Sequence, residues 1–449
     1  MAETRTVEWV IAGGREAAAM AEQRWAAQCV ADWVGVALAG TVEPLTAVLA
    51  RTTVPGEEGA AGVLGRPNRG SAWDVALVNG AAGHALDYDD THVALRGHPT
   101  APVLPALLAL AERERSSGAE VLAALAAGIE AECRVAALVG PDHYAAGFHA
   151  TGTIGAFGAA AGCAQLLGLH DGGWQHALGL AAAHAAGLKA QFGTMAKPLH
   201  AGRAAADGVR SALLAGAGYT AAADGVEAFA RACHGGPIDL AVAERRLGAG
   251  PAIEQIVVKR HAACHLTHAT IDNAAALRRD GLRAEQVRRL TVVAPPGAVE
   301  VCSFERPGTG LEAKFSLRAT AALALLGDDT GAPATFTDGR VTDPDVVALR
   351  DRVAVRPSDP GAPLTWSRLE AETADGRRLA VDSDAGVVEP RLDVREAAVR
   401  AKTVALATPL LGGDGAAELA DAALGLADAD GVEPLLGATR RAPRQEARA

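Results

Sequence analysis

Apolar residues recur at helical spacing through the first half of the chain. Over 21–40 the positions Trp25, Cys29, Val30, Trp33, Val36 and Ala37 fall on one face, and Gly40 supplies a stop. The same pattern predicts helices over 74–83 and over 102–114, the latter with Pro near its first turn. A run over 119–138 is apolar on most sides and is expected to be deeply buried. The polar stretch 140–147 predicts a loop. Small residues dominate 150–167, and further helices are expected over 174–188, 203–215 and 225–233. Up to about residue 250 no segment reads convincingly as a strand.

The pattern then changes. Residues 287–293 (VRRLTVV) are β-branched and bounded by Pro295 and Pro296, which predicts a strand. A Thr-Asp-Pro signal opens a helix predicted over 343–353. Segments 369–373 and 377–381 flank Ala374, Asp375 and Gly376, a hairpin signal. Helical composition returns over 395–428. The chain is therefore expected to be mainly α with an α+β insertion. A large all-helical domain is built from 1–264 and 396–433, and a smaller α+β lid domain from 265–395. The Arg-rich stretch 434–449 is expected to be a flexible tail.

Composition sharpens this picture. Hydrophobic residues make up 49% of the chain but aromatics only 4%, so the core must be built from Ala, Leu and Val, which lets helices approach closely. The net charge of −11 argues against a nucleic-acid partner and leaves room for a small anionic substrate at a local basic site. The cysteines at 29, 133, 163, 233, 264 and 302 form no C-x-x-C pair and read as small buried hydrophobes. The N-terminus has no apolar h-region, and no clean span of about 20 apolar residues occurs. A cytoplasmic protein without a membrane partner is the expectation. Gly152, Gly155, Gly158 and Gly162 follow no predicted strand, so close helix packing accounts for them better than a nucleotide loop does.

Five stretches could carry chemistry. In the acidic segment 86–92 and the following 96–99, Asp87 and Thr91, one helical turn apart, could partner a ligand or a catalytic His. His98 is a candidate acid, base or anion contact. In 143–153, Tyr144 is followed by His149, which opens a helix whose N-terminus favours anions. Over 193–203, Lys197 lies among small apolar residues, where desolvation lowers a Lys pKa and can make it a base. In 259–268, Lys259, His261, His265 and His268 make a basic junction. Spacings of three and four resemble zinc ligands, but without H-E-x-x-H a rim facing an anion is the better reading. In 312–318, Arg318 could clamp a carboxylate bidentately.

Together these stretches resemble the MmgE/PrpD family, which includes 2-methylcitrate dehydratase, cis-aconitate decarboxylase and iminodisuccinate epimerase. The resemblance rests on LDYDDTH (86–92), RGHPTAPVLPALLAL (96–110), GFHATGTIGAFGAAA (147–161), GTMAKPLHAGRAA (193–205), K-R-x4-H-x2-H (259–268) and EAKFSL (312–317), in that order. It implies a homodimer with no metal or organic cofactor, acting on a substrate with two or three carboxylates. Matched to the family's motifs, Asp87, Thr91, His98, Tyr144, His149, Lys197, Lys259 and His265 are implied site residues. The chain departs from the pattern at Arg318, where dehydratase and decarboxylase members tend to carry Tyr. Phe148 replaces a common Trp, and 95–99 is more similar to the epimerase branch. The expected function is a lyase, dehydratase or decarboxylase, working by proton transfer next to a carboxylate. Lys197 and Tyr144 or His149 would exchange protons, and Lys259, His265 and Arg318 would hold carboxylates. His98, oriented by Asp87, would serve a leaving hydroxyl. An epimerase is the alternative, and an inactive carboxylate-binding homologue a further one.

Overall fold

The structure, a computed structural model, describes residues 4–234, 236 and 238–440. Helices dominate. Gln23–Gly40, Ala72–His84, Thr100–Glu114, Gly155–Leu166 and Ala196–Gly216 pack side by side, and Leu392–Leu424 returns late in the chain to lie along Gln23–Gly40. Small residues set the spacing. A Cβ at Gly80 would come within 2.8 Å of the Gly202 Cα, so Ala72–His84 and Ala196–Gly216 touch backbone to backbone. That contact matters for function because His84 ends one helix and Lys197 begins the other.

Several elements differ from the sequence expectation. The polar stretch 140–147 is mostly helical: Gly118–Ala145 runs on after a break at Gly140, whose φ of 66° only glycine adopts freely. Pro141, its φ preset, restarts the helix. Two-residue strands occur before residue 250. Ala61–Gly62 pairs with Arg69–Gly70, and Thr91–His92 pairs with Ile256–Val257, which pins the acidic segment to the start of the basic junction. The helix expected over 343–353 is Pro344–Arg350, and Val353 instead begins a strand.

That strand belongs to a four-stranded sheet in the order Val353–Pro357, Val287–Ala294, Trp366–Thr373, Arg378–Asp384. The first pair is parallel and the other two antiparallel, with Leu290 opposite both Val353 and Ala371. Helix His265–Arg279 covers the sheet, and Asn273 donates to the Ser367 carbonyl at 3.0 Å. One apolar core draws on 7–256 and 399–438. A second draws on 262–371 and recruits Val36, Leu86, Tyr88 and Leu406. The segment after Ala72–His84 therefore lies where the two cores meet. The tail expected from 434 begins as helix Glu433–Ala438, with Leu435 and Leu436 buried; 441–449 lie outside the described residues. No single helix among the described residues is long and apolar enough to cross a membrane.

Candidate active site

The segment 84–92 is buried throughout. Its carboxylates therefore need partners, because an unpaired buried charge is costly. Asp87 sits at φ 51°, a left-handed conformation that Asp tolerates better than most residues. The turn aims its carboxylate at two lysines. Lys197 Nζ donates to Oδ2 at 3.0 Å, and Lys259 Nζ donates to Oδ1 at 2.5 Å and to the Asp87 carbonyl at 2.8 Å. Burial would raise the Asp87 carboxyl, but the two ammonium groups outweigh it and hold it well below the usual range. Lys314 donates to the Leu86 carbonyl at 2.5 Å, and burial pushes its amine down to about 8.

Imidazoles close over this ion cluster. His84 Nδ1 lies 2.8 Å from Asp89 Oδ2, and His84 Nε2 lies 2.8 Å from Lys197 Nζ. His98 Nδ1 is 3.0 Å from the same Asp89 oxygen, with its Nε2 3.6 Å from Asp87 Oδ1. His149 stacks on His84 with centroids 5.8 Å apart and meets His200 Nδ1 to Nδ1 at 3.0 Å. Burial takes His84 down to about 4 and lowers His98 and His149 as well, so these rings are neutral at neutral pH. With neutral rings, Lys197 and Lys259 share the Asp87 carboxylate, and Lys314 lies close enough to interact with it. The Phe192 and Phe315 rings each lie 5.5 Å from Lys197 Nζ and keep water from it.

Asp87, His98, His149, Lys197 and Lys259 thus converge in one buried cluster. Tyr144, Thr91 and His265 line a small cavity beside it, together with His98, Arg96 and Cys264. Several expectations need correction. Asp87 and Thr91 do not share a helical turn, since Thr91 lies in the strand pairing with Val257. Its hydroxyl meets His265 Nδ1 at 2.8 Å, while His265 Nε2 contacts the Ala385 carbonyl at 2.9 Å, so both ring nitrogens are engaged by protein. Lys259 is committed to Asp87 rather than free at a rim. His98 is approached more closely by Asp89 than by Asp87. His149 precedes a single-turn helix, Ala150–Thr153, and its ring goes to the histidine cluster instead of offering a helix-start anion site. Arg318 pairs with Glu305 at 3.0 Å on the surface, and none of its contacts among the described residues joins it to the cluster.

Sequence reasoning missed His84, Asp89 and Lys314. His84 ends an apolar helix and reads as core, and its only signal is the carboxylate-rich segment that starts three residues later. Among the described residues, the donor atoms of His84, Asp89 and His98 lie within 4.8 Å of one another, and this set could hold a metal ion. The observed contacts are of hydrogen-bond length, and Lys197 and Lys259 bring positive charge beside them. The donor set therefore fits a proton network better than a dication.

Comparison with known proteins follows the same lines. Residues 7–237 match the MmgE/PrpD N-terminal domain and 261–427 match the MmgE/PrpD C-terminal domain. Cis-aconitate decarboxylase of Mus musculus is 29% identical over 387 residues, covering 79% of this chain and 76% of the mouse protein. Cis-aconitate decarboxylase of Aspergillus terreus is 27% identical over 445 residues, covering 91% of this chain and 89% of that protein. The Homo sapiens cis-aconitate decarboxylase is 39% identical over 152 residues, a match covering 31% of this chain and 30% of the human protein.

Proposed function

We propose, for a chain that belongs to the MmgE/PrpD family, that it is a lyase releasing CO2 from a di- or tricarboxylic acid of the cis-aconitate type. The observation that carries this reading is the pair of buried lysines on Asp87, roofed by neutral imidazoles. Two lysine amines held this close present a fixed electrostatic clamp, and a water-poor site makes such a clamp worth more than it would be in solvent. The names of the mouse and fungal relatives support the choice of substrate and of decarboxylation over dehydration.

Loss of CO2 leaves its electron pair on carbon, and that pair must take up a proton. Lys197 has three N–H donors, of which two are committed to His84 and Asp87, so one remains to meet a substrate carboxylate or deliver a proton. His98 and His149, kept neutral by burial, add no cation to the site and offer it hydrogen-bonding rings. Tyr144, its hydroxyl held protonated by burial, can donate one. A substrate carboxylate would compete with Asp87 for the lysines. Lys259 and Lys314 hold the anion without themselves reacting. Arg318 takes no part in this scheme.

The test is direct. Purified protein is incubated with cis-aconitate and the released CO2 is measured. Catalysed release supports the reading, and intact cis-aconitate after prolonged incubation with folded protein overturns it.

A further inference from the structure

Asp89 and His84 lie within the cluster, and neither lines the cavity beside it. Both side chains are fully buried, and they stand in line with Lys197. The Asp89 carboxylate contacts His84 Nδ1 through both oxygens, at 2.8 and 3.0 Å. An imidazole nitrogen that close to an ionised carboxylate must carry the proton. In a neutral ring the other nitrogen then carries a lone pair. That nitrogen, His84 Nε2, lies 2.8 Å from Lys197 Nζ, which has only protons to offer. The three contacts agree on one arrangement: carboxylate, Nδ1–H imidazole, amine N–H. The opposite tautomer would point N–H at N–H and leave the carboxylate facing a lone pair.

The geometry points to Asp89 and His84 as positioning residues for Lys197. Asp89 fixes the His84 tautomer, and His84 then accepts one Lys197 N–H, so that a second N–H is held on Asp87 and the third is left for a substrate. Neither residue needs to touch substrate. The packing supports a built device. His84 is clamped by the His98 ring edge-on at 4.4 Å and by His149 face-on at 5.8 Å, so its ring cannot turn freely. Behind metal-bound imidazoles the loss of such a carboxylate costs about 10–100-fold, and the same scale is expected here, where the imidazole serves an amine.

The assignment rests on the proposed lyase reading only for its kinetic part. Solid-state 15N NMR of enzyme labelled at histidine nitrogen, with the His84 signals identified by their loss in His84→Gln, reads the tautomer in the wild-type protein. The expected state is neutral, protonated at Nδ1. A ring protonated at Nε2, or at both nitrogens, overturns the proposal whatever substrate the enzyme uses. On the kinetic side, Asp89→Asn should lower kcat for cis-aconitate by about 10–100-fold with KM changed less than about threefold, and Asp89→Glu should recover part of the loss. A variant with kcat within about threefold of wild type, or an equal loss in kcat and substrate affinity, contradicts a positioning role. Should Asp89→Asn not fold, the wild-type tautomer still decides. If the tautomer is as expected but cis-aconitate is untouched, the lyase reading fails while this assignment stands.

Discussion

At the scale of single residues the lysines dominate the site. Lys197→Ala removes the amine that grips Asp87 and holds the one N–H left for a substrate, and turnover of cis-aconitate is expected to fall by at least about 10²–10⁴-fold. Asp87 keeps Lys259, so circular dichroism should show a folded protein with a lowered melting temperature; undiminished turnover would remove Lys197 from the mechanism. Lys314 adds a pH dependence. Its folded pKa is about 8, against 10.5 for the free amine. The folded chain therefore sheds this proton first, and the cost of burying the charge is present below 8 and fades between 8 and 10.5. The same deprotonation removes a positive charge from the cluster, so KM for an anionic substrate should rise above pH 8. Lys314→Met should show a higher KM at pH 7 and a flatter profile to pH 9, and an unchanged profile would count against its role. Lys197 was visible because a Lys in an Ala- and Gly-rich setting is unusual, and Lys259 because it opens a run of basic residues. Lys314 lay in a motif read for Arg318, the next residue with a guanidinium, and only the fold shows which side chain turns inward.

At the scale of elements, catalytic geometry depends on how closely two helices approach. Gly80 and Gly202 let Ala72–His84 and Ala196–Gly216 touch, and this sets the distance from His84 to Lys197. Gly202→Ala places a methyl group against the Leu77 carbonyl. Overpacking of this kind costs about 1–3 kcal/mol, so the melting temperature should fall by several degrees. Activity should fall with it as the His84–Lys197 contact opens. Full activity at a lowered melting temperature would separate the helix contact from the site. The long helices were legible from apolar periodicity, and the hairpin of Trp366–Thr373 with Arg378–Asp384 from its turn residues. The helical stretch after Gly140 was not, because polar residues outside a core carry no period and only the Pro141 restart makes it helical. Strand pairs of two residues, such as Thr91–His92 with Ile256–Val257, are set by tertiary contact and leave no mark in the local sequence.

At the scale of the whole molecule, the two apolar cores meet at the cluster. Asp87, His84, Lys197 and Lys259 come from before residue 265, and Lys314 reaches the Leu86 carbonyl from the sheet-bearing part, so the network draws on both. We propose the units 1–264 with 396–433, and 265–395, on that basis, and a homodimer as the working assembly. Light scattering coupled to size exclusion should give twice the 45.5 kDa chain mass, and a monomer at working concentration would refute the dimer. Sequence distance explains why the site was only partly readable: Asp87 and Lys259 are 172 residues apart, and nothing local announces their pairing. The central claim, a proton delivered to the carbon that CO2 leaves, is tested most directly by following carboxyl-labelled cis-aconitate in D2O by NMR and mass spectrometry. The expected result is one CO2 released per product and one solvent deuterium at the carbon that takes up the proton. Deuterium exchange into cis-aconitate that keeps all its carboxyl label would mean proton transfer without decarboxylation, addition of D2O across the double bond would mean hydro-lyase chemistry, and either would contradict it.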